Sequence, residues 1–171
     1  GVHAIQVAAA AVANLPSGRW GDVTVNVGTI SGGRATNIVP DSCTVTGEIR
    51  ALCHQDALDR LNEIHSEFVE QAQAVDAKLN FNHTIHITGY RVDTDAPVAQ
   101  RFKRACEAVG VAPRFTDTYG GSDCNILSAH GIQGLVVATA MNNCHAVSEY
   151  TTVEELCRAG RLAQALMEKQ D

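Results

Sequence analysis

Three stretches of this 171-residue sequence carry residues whose types and spacing could do chemistry. The first is "MNNCHAVSEY", residues 141–150, where His145 follows the apolar run "GLVVATA" and Glu149 comes shortly after. Ligands of α/β sheets gather beyond the carboxyl ends of strands, so an imidazole here could bind a metal. A single histidine is not a metal centre, because zinc takes three or four protein ligands; a hydrogen-bonded loop residue is the plainer alternative. The second is "YGGSDCN", residues 119–125, a glycine turn opening into a short helix. Main-chain N–H groups at such a junction can hold an anionic or carbonyl oxygen, and Gly120 and Gly121 let a ligand come close to the backbone. A plain turn with Ser122 as helix cap fits the same residues. The third is "ATNIVPDSCTVTGEIRA", residues 35–51, with Asn37 in a loop and Arg50 near the end of a strand. A guanidinium in that position could clamp a carboxylate through two parallel hydrogen bonds, or be a charge at the sheet edge.

Other candidates are weaker. His83 and His86, in "HTIH", would point to opposite faces of a strand. His3, His54, His65 and His130 stand alone in the sequence. Cys43, Cys53, Cys106, Cys124, Cys144 and Cys157 form no CxxC pair, and at this chain length they read as reduced thiols of a cytoplasmic protein. No GxSxG, Walker A or HExxH motif occurs. The formal charge of -6, with no basic face, argues against nucleic acid. The absence of an 18-residue apolar run argues against a membrane span.

The elements that would position these residues follow from periodicity. Residues 2–15 read as a helix with Ile5, Ala8, Ala9, Val12 and Leu15 on one stripe, stopped by Pro16, Ser17 and Gly18. "DVTVNVGTI" and "CTVTGEIRAL" alternate as strands. Residues 55–75 form a second helix, buried along Leu58, Leu61, Ile64, Phe68, Ala72 and Val75, and "KLNFNHTIHITGY" alternates as a third strand. Residues 1–90 thus read α-β-β-α-β, a ferredoxin-like β-α-β-β-α-β unit without its first strand. That strand is central in the topology, so its absence leaves a gap with unpaired backbone groups. The expectation is that the sequence is a piece of a longer chain.

From residue 91 the pattern becomes α-β-α-β-α. A helix has Asp95 as cap, Pro97 in its first turn and Gly110 at its end; the short strand "PRFTDTY" follows. A short helix closes at Gly131, and "GLVVATA" reads as a strand buried on both faces. The last helix begins at Thr152 with Glu155 completing a capping box, and carries Leu156, Ala159, Leu162, Ala163 and Leu166 inward. The fold class is therefore α+β: an incomplete ferredoxin-like domain over 1–90 and an α/β segment over 91–171.

Taken together these stretches resemble the M20 metallopeptidases. "NVGTISGGRATNIVPDSCTVTGEIRA" is similar to the signature of that family's lid domain, "GGSDCNILSAHGI…NNCHAVSEYTTVEEL" to the end of its catalytic domain, and "GVHAIQVAAAAVANLPSGR" to the first helix of the lid. The wording is most similar to the peptidase T-like aminotripeptidases. The resemblance implies a zinc-binding α/β domain interrupted by a ferredoxin-like lid that also dimerises, and two zinc ions sharing a water on which a glutamate acts as general base. His145 would correspond to the C-terminal zinc ligand. Asn37 and Arg50 would bind the substrate's carboxylate or carbonyl oxygen, and Gly120, Gly121 and Ser122 would line the cleft.

The resemblance puts the other zinc ligands and the general base upstream of the lid, so no catalytic residue is expected within this chain. The expected whole is a homodimeric exopeptidase acting on short peptides, the isolated chain being inactive. Two other readings stay open. One is an amidohydrolase of N-acyl amino acids, an activity also found in the family; the other is a non-catalytic module, either for dimerisation or for sensing a ligand.

Overall fold

Alanine, the best helix former, dominates residues 4–14, and the computed structural model places helix α1 over Ala4–Asn14. The structure describes residues 1–16 and 18–168; Ser17, part of the expected helix stop, lies outside them. His3 caps α1, its Nδ1 accepting from the Gln6 N–H at 3.3 Å. Ala8 and Ala11 are buried while Ala9, expected inward, is exposed. Ala8, Ala11, Val12 and Leu15 form the i, i+3, i+4, i+7 set, and Ala9 falls beside it.

Strands β1 (Gly18–Trp20), β2 (Val23–Gly32) and β3 (Cys43–Ala51) form an antiparallel sheet in that order. The short β1 was not expected. Gly21, at φ 59°, turns the chain so that Trp20 pairs with Val23, and three residues are too few for alternation to show. Val23 and Val25 face helix α2 (His54–Gln73) and meet Ile64 there, with half-buried Leu15, Ile49, Phe68 and Phe81 around them. The β2–β3 register shifts between Val27 and Thr29. Close by, a Cβ on Gly47 would lie 2.7 Å from the Asn26 carbonyl oxygen, so this crossing needs glycine.

The third expected strand is corrected. Among the described residues, 78–90 join no ladder. Their side chains still pack as a strand's would: the Phe81 ring lies 4.7 Å from His65 and 6.4 Å from Phe68. In a β-α-β-β-α-β unit the last strand pairs with the first, and no described residue forms that first strand. Val75, beyond the end of α2, is exposed.

The chain divides into two compact units, Gly1–Gly89 and Tyr90–Asp171. In the second, helix α3 (Pro97–Ala108) starts on Pro97 with Ala96 as cap. Asp95 does not cap it; its carboxylate accepts from Gln100 Nε2 at 3.4 Å and lies 3.9 Å from Lys103 Nζ. Helices α4 (Asp123–Ala129) and α5 (Val153–Met167) follow. Ala105, Cys106 and Leu162 make the core, with Phe102, Val109, Val111, Val137 and Leu166 against it. Gly110 and Gly131, at φ 70° and 79°, follow α3 and α4 as C-terminal turns require. Neither 113–119 nor 134–140 is in a ladder, and Val136, expected to be buried, is 51% exposed. Both stretches lack a neighbouring strand among the described residues, and a strand exists only as one of a hydrogen-bonded pair. Leu156 and Ala163 of α5, expected inward, are exposed.

Candidate functional site

His145 sits in a loop closed at its base. Asn142 and Tyr150 exchange both main-chain hydrogen bonds, at 2.9 and 3.1 Å. Within and just before the loop, Ala140, Asn143 and His145 adopt left-handed backbone, with φ of 64°, 53° and 66°. For a residue with a Cβ this costs about 1–2 kcal/mol, least for asparagine. Side chains offset the cost. The His145 N–H donates to Glu149 Oε2 at 2.7 Å, and Asn143 Nδ2 donates to the Ser148 hydroxyl at 3.4 Å. A hydrogen bond to an ionised group contributes about 1.5–3 kcal/mol, less at an exposed site, so the Glu149 contact is comparable with the strain it opposes. The His145 imidazole is exposed and accepts or donates no hydrogen bond among the described residues.

The loop is anchored to α5 through Glu155. Its Oε2 accepts from Thr152 Oγ1 (2.9 Å), from the Thr152 N–H (3.2 Å) and from Asn142 Nδ2 (3.1 Å). The Glu155 N–H in turn donates to Thr152 Oγ1 at 3.2 Å, completing the expected capping box. These bonds, the Thr152 hydroxyl first, hold the Glu155 carboxyl below the usual carboxylate range. The capping box was legible in the sequence; the Asn142 contact, thirteen residues away, was not.

Ser122 caps α4 as expected, its N–H donating to Oδ1 of buried Asn125 at 2.9 Å. The Ser122 Oγ is buried in this turn and interacts with the Tyr90 phenol. Gly120 and Gly121 are exposed, but the Gly120 N–H is already used, donating to Thr118 Oγ1 at 3.1 Å. Tyr90 borders this turn and was missed in the sequence, where it shows only as an aromatic residue ending an alternating run. Burial, then the neighbouring Cys124, raises its phenol pKa, so Tyr90 stays a neutral donor.

In the first unit Asn37 and Arg50 are both exposed, and they stand at opposite ends of the β2–β3 hairpin. Arg50 pairs with Thr24 near the start of β2, whereas Asn37 is in the turn beyond the Gly32–Cys43 pair. The seven residues from Cys43 to Arg50 span about 23 Å along the strand. Arg50 is also engaged: its Nε and Nη2 donate to Glu48 at 2.6 and 3.2 Å. The pair lowers the Glu48 pKa and raises that of Arg50 further. An exposed ion pair contributes about 0–1 kcal/mol, so an incoming carboxylate could replace Glu48 at small cost.

Among the described residues no three His, Cys, Asp or Glu side chains come together around a possible metal ion. His145 has the chemistry and accessibility of one ligand, and the described residues do not supply the rest of a centre. All six cysteines are free. No helix among the described residues is long and apolar enough to cross a membrane.

Residues 1–76 match the peptidase dimerisation domain of the M20 type. Those residues are an M20-type peptidase dimerisation domain. Along 95% of its length the chain superposes on the aminopeptidase PepT of Bacillus cereus ATCC 10987, with 29% identity and a TM-score of 0.83, covering 44% of that chain. It shares its fold with the Bacillus subtilis YXEP protein, described as a dinuclear metal-binding peptidase of the M20 family (TM-score 0.76, 16% identity, 96% of this chain and 45% of that one). Among curated relatives it is 26% identical to the uncharacterized protein YqjE of Bacillus subtilis strain 168, over 99% of this chain and 46% of that protein. It is 30% identical to an acetylornithine deacetylase of Myxococcus xanthus, over 79% of this chain and 35% of the relative. The chain thus spans less than half the length of the curated relatives it matches.

Proposed function

We propose that this chain is the lid and the C-terminal catalytic segment of a zinc-dependent exopeptidase that removes residues from short peptides. The His145 loop carries the reading. A strained, multiply tied turn presents a free imidazole beyond an extended apolar segment, and such strain collects at functional sites. The likeness to an aminopeptidase supports peptides as substrates. His145 would be one ligand of a two-zinc centre, its other ligands coming from residues outside this sequence. Bound zinc would supply Lewis acidity and a water of lowered pKa. The Ser122 hydroxyl and the Gly120–Gly121 turn would line the cleft, Arg50 would exchange Glu48 for the substrate's carboxylate, and Asn37 would hold a carbonyl oxygen. Because Asn37 and Arg50 are far apart on the hairpin, each would make its own contact.

Residues 1–90 would join two copies into a homodimer, in keeping with the dimerisation-domain match. The six free thiols suit the cytoplasm. A second reading, hydrolysis of N-acyl amino acids, is favoured by one observation, the 30% identity to an acetylornithine deacetylase. Turnover of a tripeptide and of an N-acetyl amino acid by the native full-length protein, loaded with zinc, separates the two. The peptidase reading expects the tripeptide to be the better substrate by at least about a hundredfold in kcat/KM, a difference of about 2.7 kcal/mol. The opposite preference transfers the chain to the second reading, and zinc-independent turnover rejects both.

A further inference from the structure

Among the described residues, the bond from the His145 N–H to Glu149 is the one side-chain tie to the histidine itself. Of the other contacts described, Asn142 with Tyr150, Asn142 with Glu155 and Asn143 with Ser148 close the loop's neck or its flanks, and the Ala146 N–H donates to the Asn143 carbonyl at 3.0 Å across a turn that contains His145. Among the described residues, only Glu149 Oε2, 2.7 Å away, bonds the His145 N–H in its left-handed conformation. If His145 relaxed to negative φ, the direction of its Cα–Cβ bond would change and the imidazole would swing away from its present position. Glu149 is itself exposed, and its N–H donates to the Ala146 carbonyl at 3.0 Å, so hydrogen bonds and not packing account for its placement.

We infer that Glu149 is a positioning residue for a metal-binding histidine: its carboxylate locks the His145 backbone in the left-handed state and so aims the imidazole. This rests on the proposal above that His145 is a zinc ligand. Outer-shell partners of metal ligands commonly tune affinity by 10- to 100-fold, and here the partner would act through the ligand's N–H and not through its ring. The role needs an acceptor oxygen at that place. It does not need a negative charge, and it does not need the carboxylate to touch the metal.

The test uses the native full-length protein with zinc(II) as the probe, its affinity read by competition with a chelator. The His145 amide proton shift is recorded alongside by NMR. Glu149→Ala is expected to weaken zinc binding by about 10- to 100-fold and to move the His145 amide proton upfield. Glu149→Gln keeps an acceptor oxygen and is expected to stay within about threefold of the parent; a neutral hydrogen bond is roughly half as strong as a charged one. Unchanged zinc affinity in Glu149→Ala, alongside weakened binding in His145→Ala, overturns the positioning role and leaves the proposed function standing. If Glu149→Gln loses as much affinity as Glu149→Ala, Glu149 acts by charge or by direct ligation, which also overturns the inference. If His145→Ala binds zinc as the parent does, the metal reading fails, and the inference fails with it.

Discussion

The two units use similar apolar stretches to different ends. In the first, "CTVTGEIRA" becomes β3 because β2 lies beside it, and its Ile49 packs with Val25 over Ile64. In the second, "GLVVATA" is at least as apolar, yet it enters no ladder and leaves Val136 half in solvent. The contrast shows that a strand belongs to a pair. The amino-acid pattern specifies which faces want burial, while the hydrogen-bonding neighbour decides whether a ladder exists. Residues 78–90 show both halves of this within one unit, since their side chains pack on α2 while their backbone has no strand partner.

Substitutions can break or sharpen that comparison. The largest effect is expected from Ile64→Ala in the packed core of the first unit, a loss of about 2–5 kcal/mol. Urea denaturation followed by the fluorescence of Trp20, which lies in the same unit, measures it. Val25→Thr puts a hydroxyl into the same core and is expected to cost about 1–3 kcal/mol. Val136→Thr is the matching change in the second unit and is expected to stay within about 0.5 kcal/mol in this 171-residue chain. A cost above that, read by the same denaturation with circular dichroism, would mean that 134–140 already has a burying neighbour.

Smaller effects probe the loop. Thr152→Ala removes the cap of α5 and is expected to cost about 1 kcal/mol, seen as lost helicity on thermal melting. Its partner Glu155 has a lowered folded-state pKa. Its contribution is therefore complete above the ordinary carboxylate pKa and disappears as pH falls through the lower folded value. Glu155→Gln should flatten the acid limb of the melting profile; an unchanged limb would assign the pH dependence elsewhere. The last of the loop's expected effects is a gain. Ala140→Gly relieves a left-handed alanine and is expected to raise stability by about 0.5–1 kcal/mol, a shift in melting temperature that any scanning method detects.

Local chemistry was readable where it acts over a few residues. Thr152 with Glu155, Ser122 at the start of α4, and Gly110 and Gly131 after their helices all follow from letters three or four apart. In the first unit α1, β2, β3 and α2 followed from periodicity, while the short β1 did not. The Asn142–Glu155 tie and the Tyr90–Cys124 neighbourhood depend on how the chain returns on itself, and no short window of sequence contains that. His3 looked isolated because an imidazole is an unusual cap. Leu156 and Val136 were expected inside because their faces are apolar, and the described residues offer nothing to cover them.

The central claim is that His145 holds a metal ion. The most direct measurement is the zinc content of the native full-length protein and of its His145→Ala variant after dialysis at neutral pH. The account expects two zinc ions per chain in the parent and at least one fewer in the variant, with the fold intact by circular dichroism. Equal zinc content in the two proteins would contradict it.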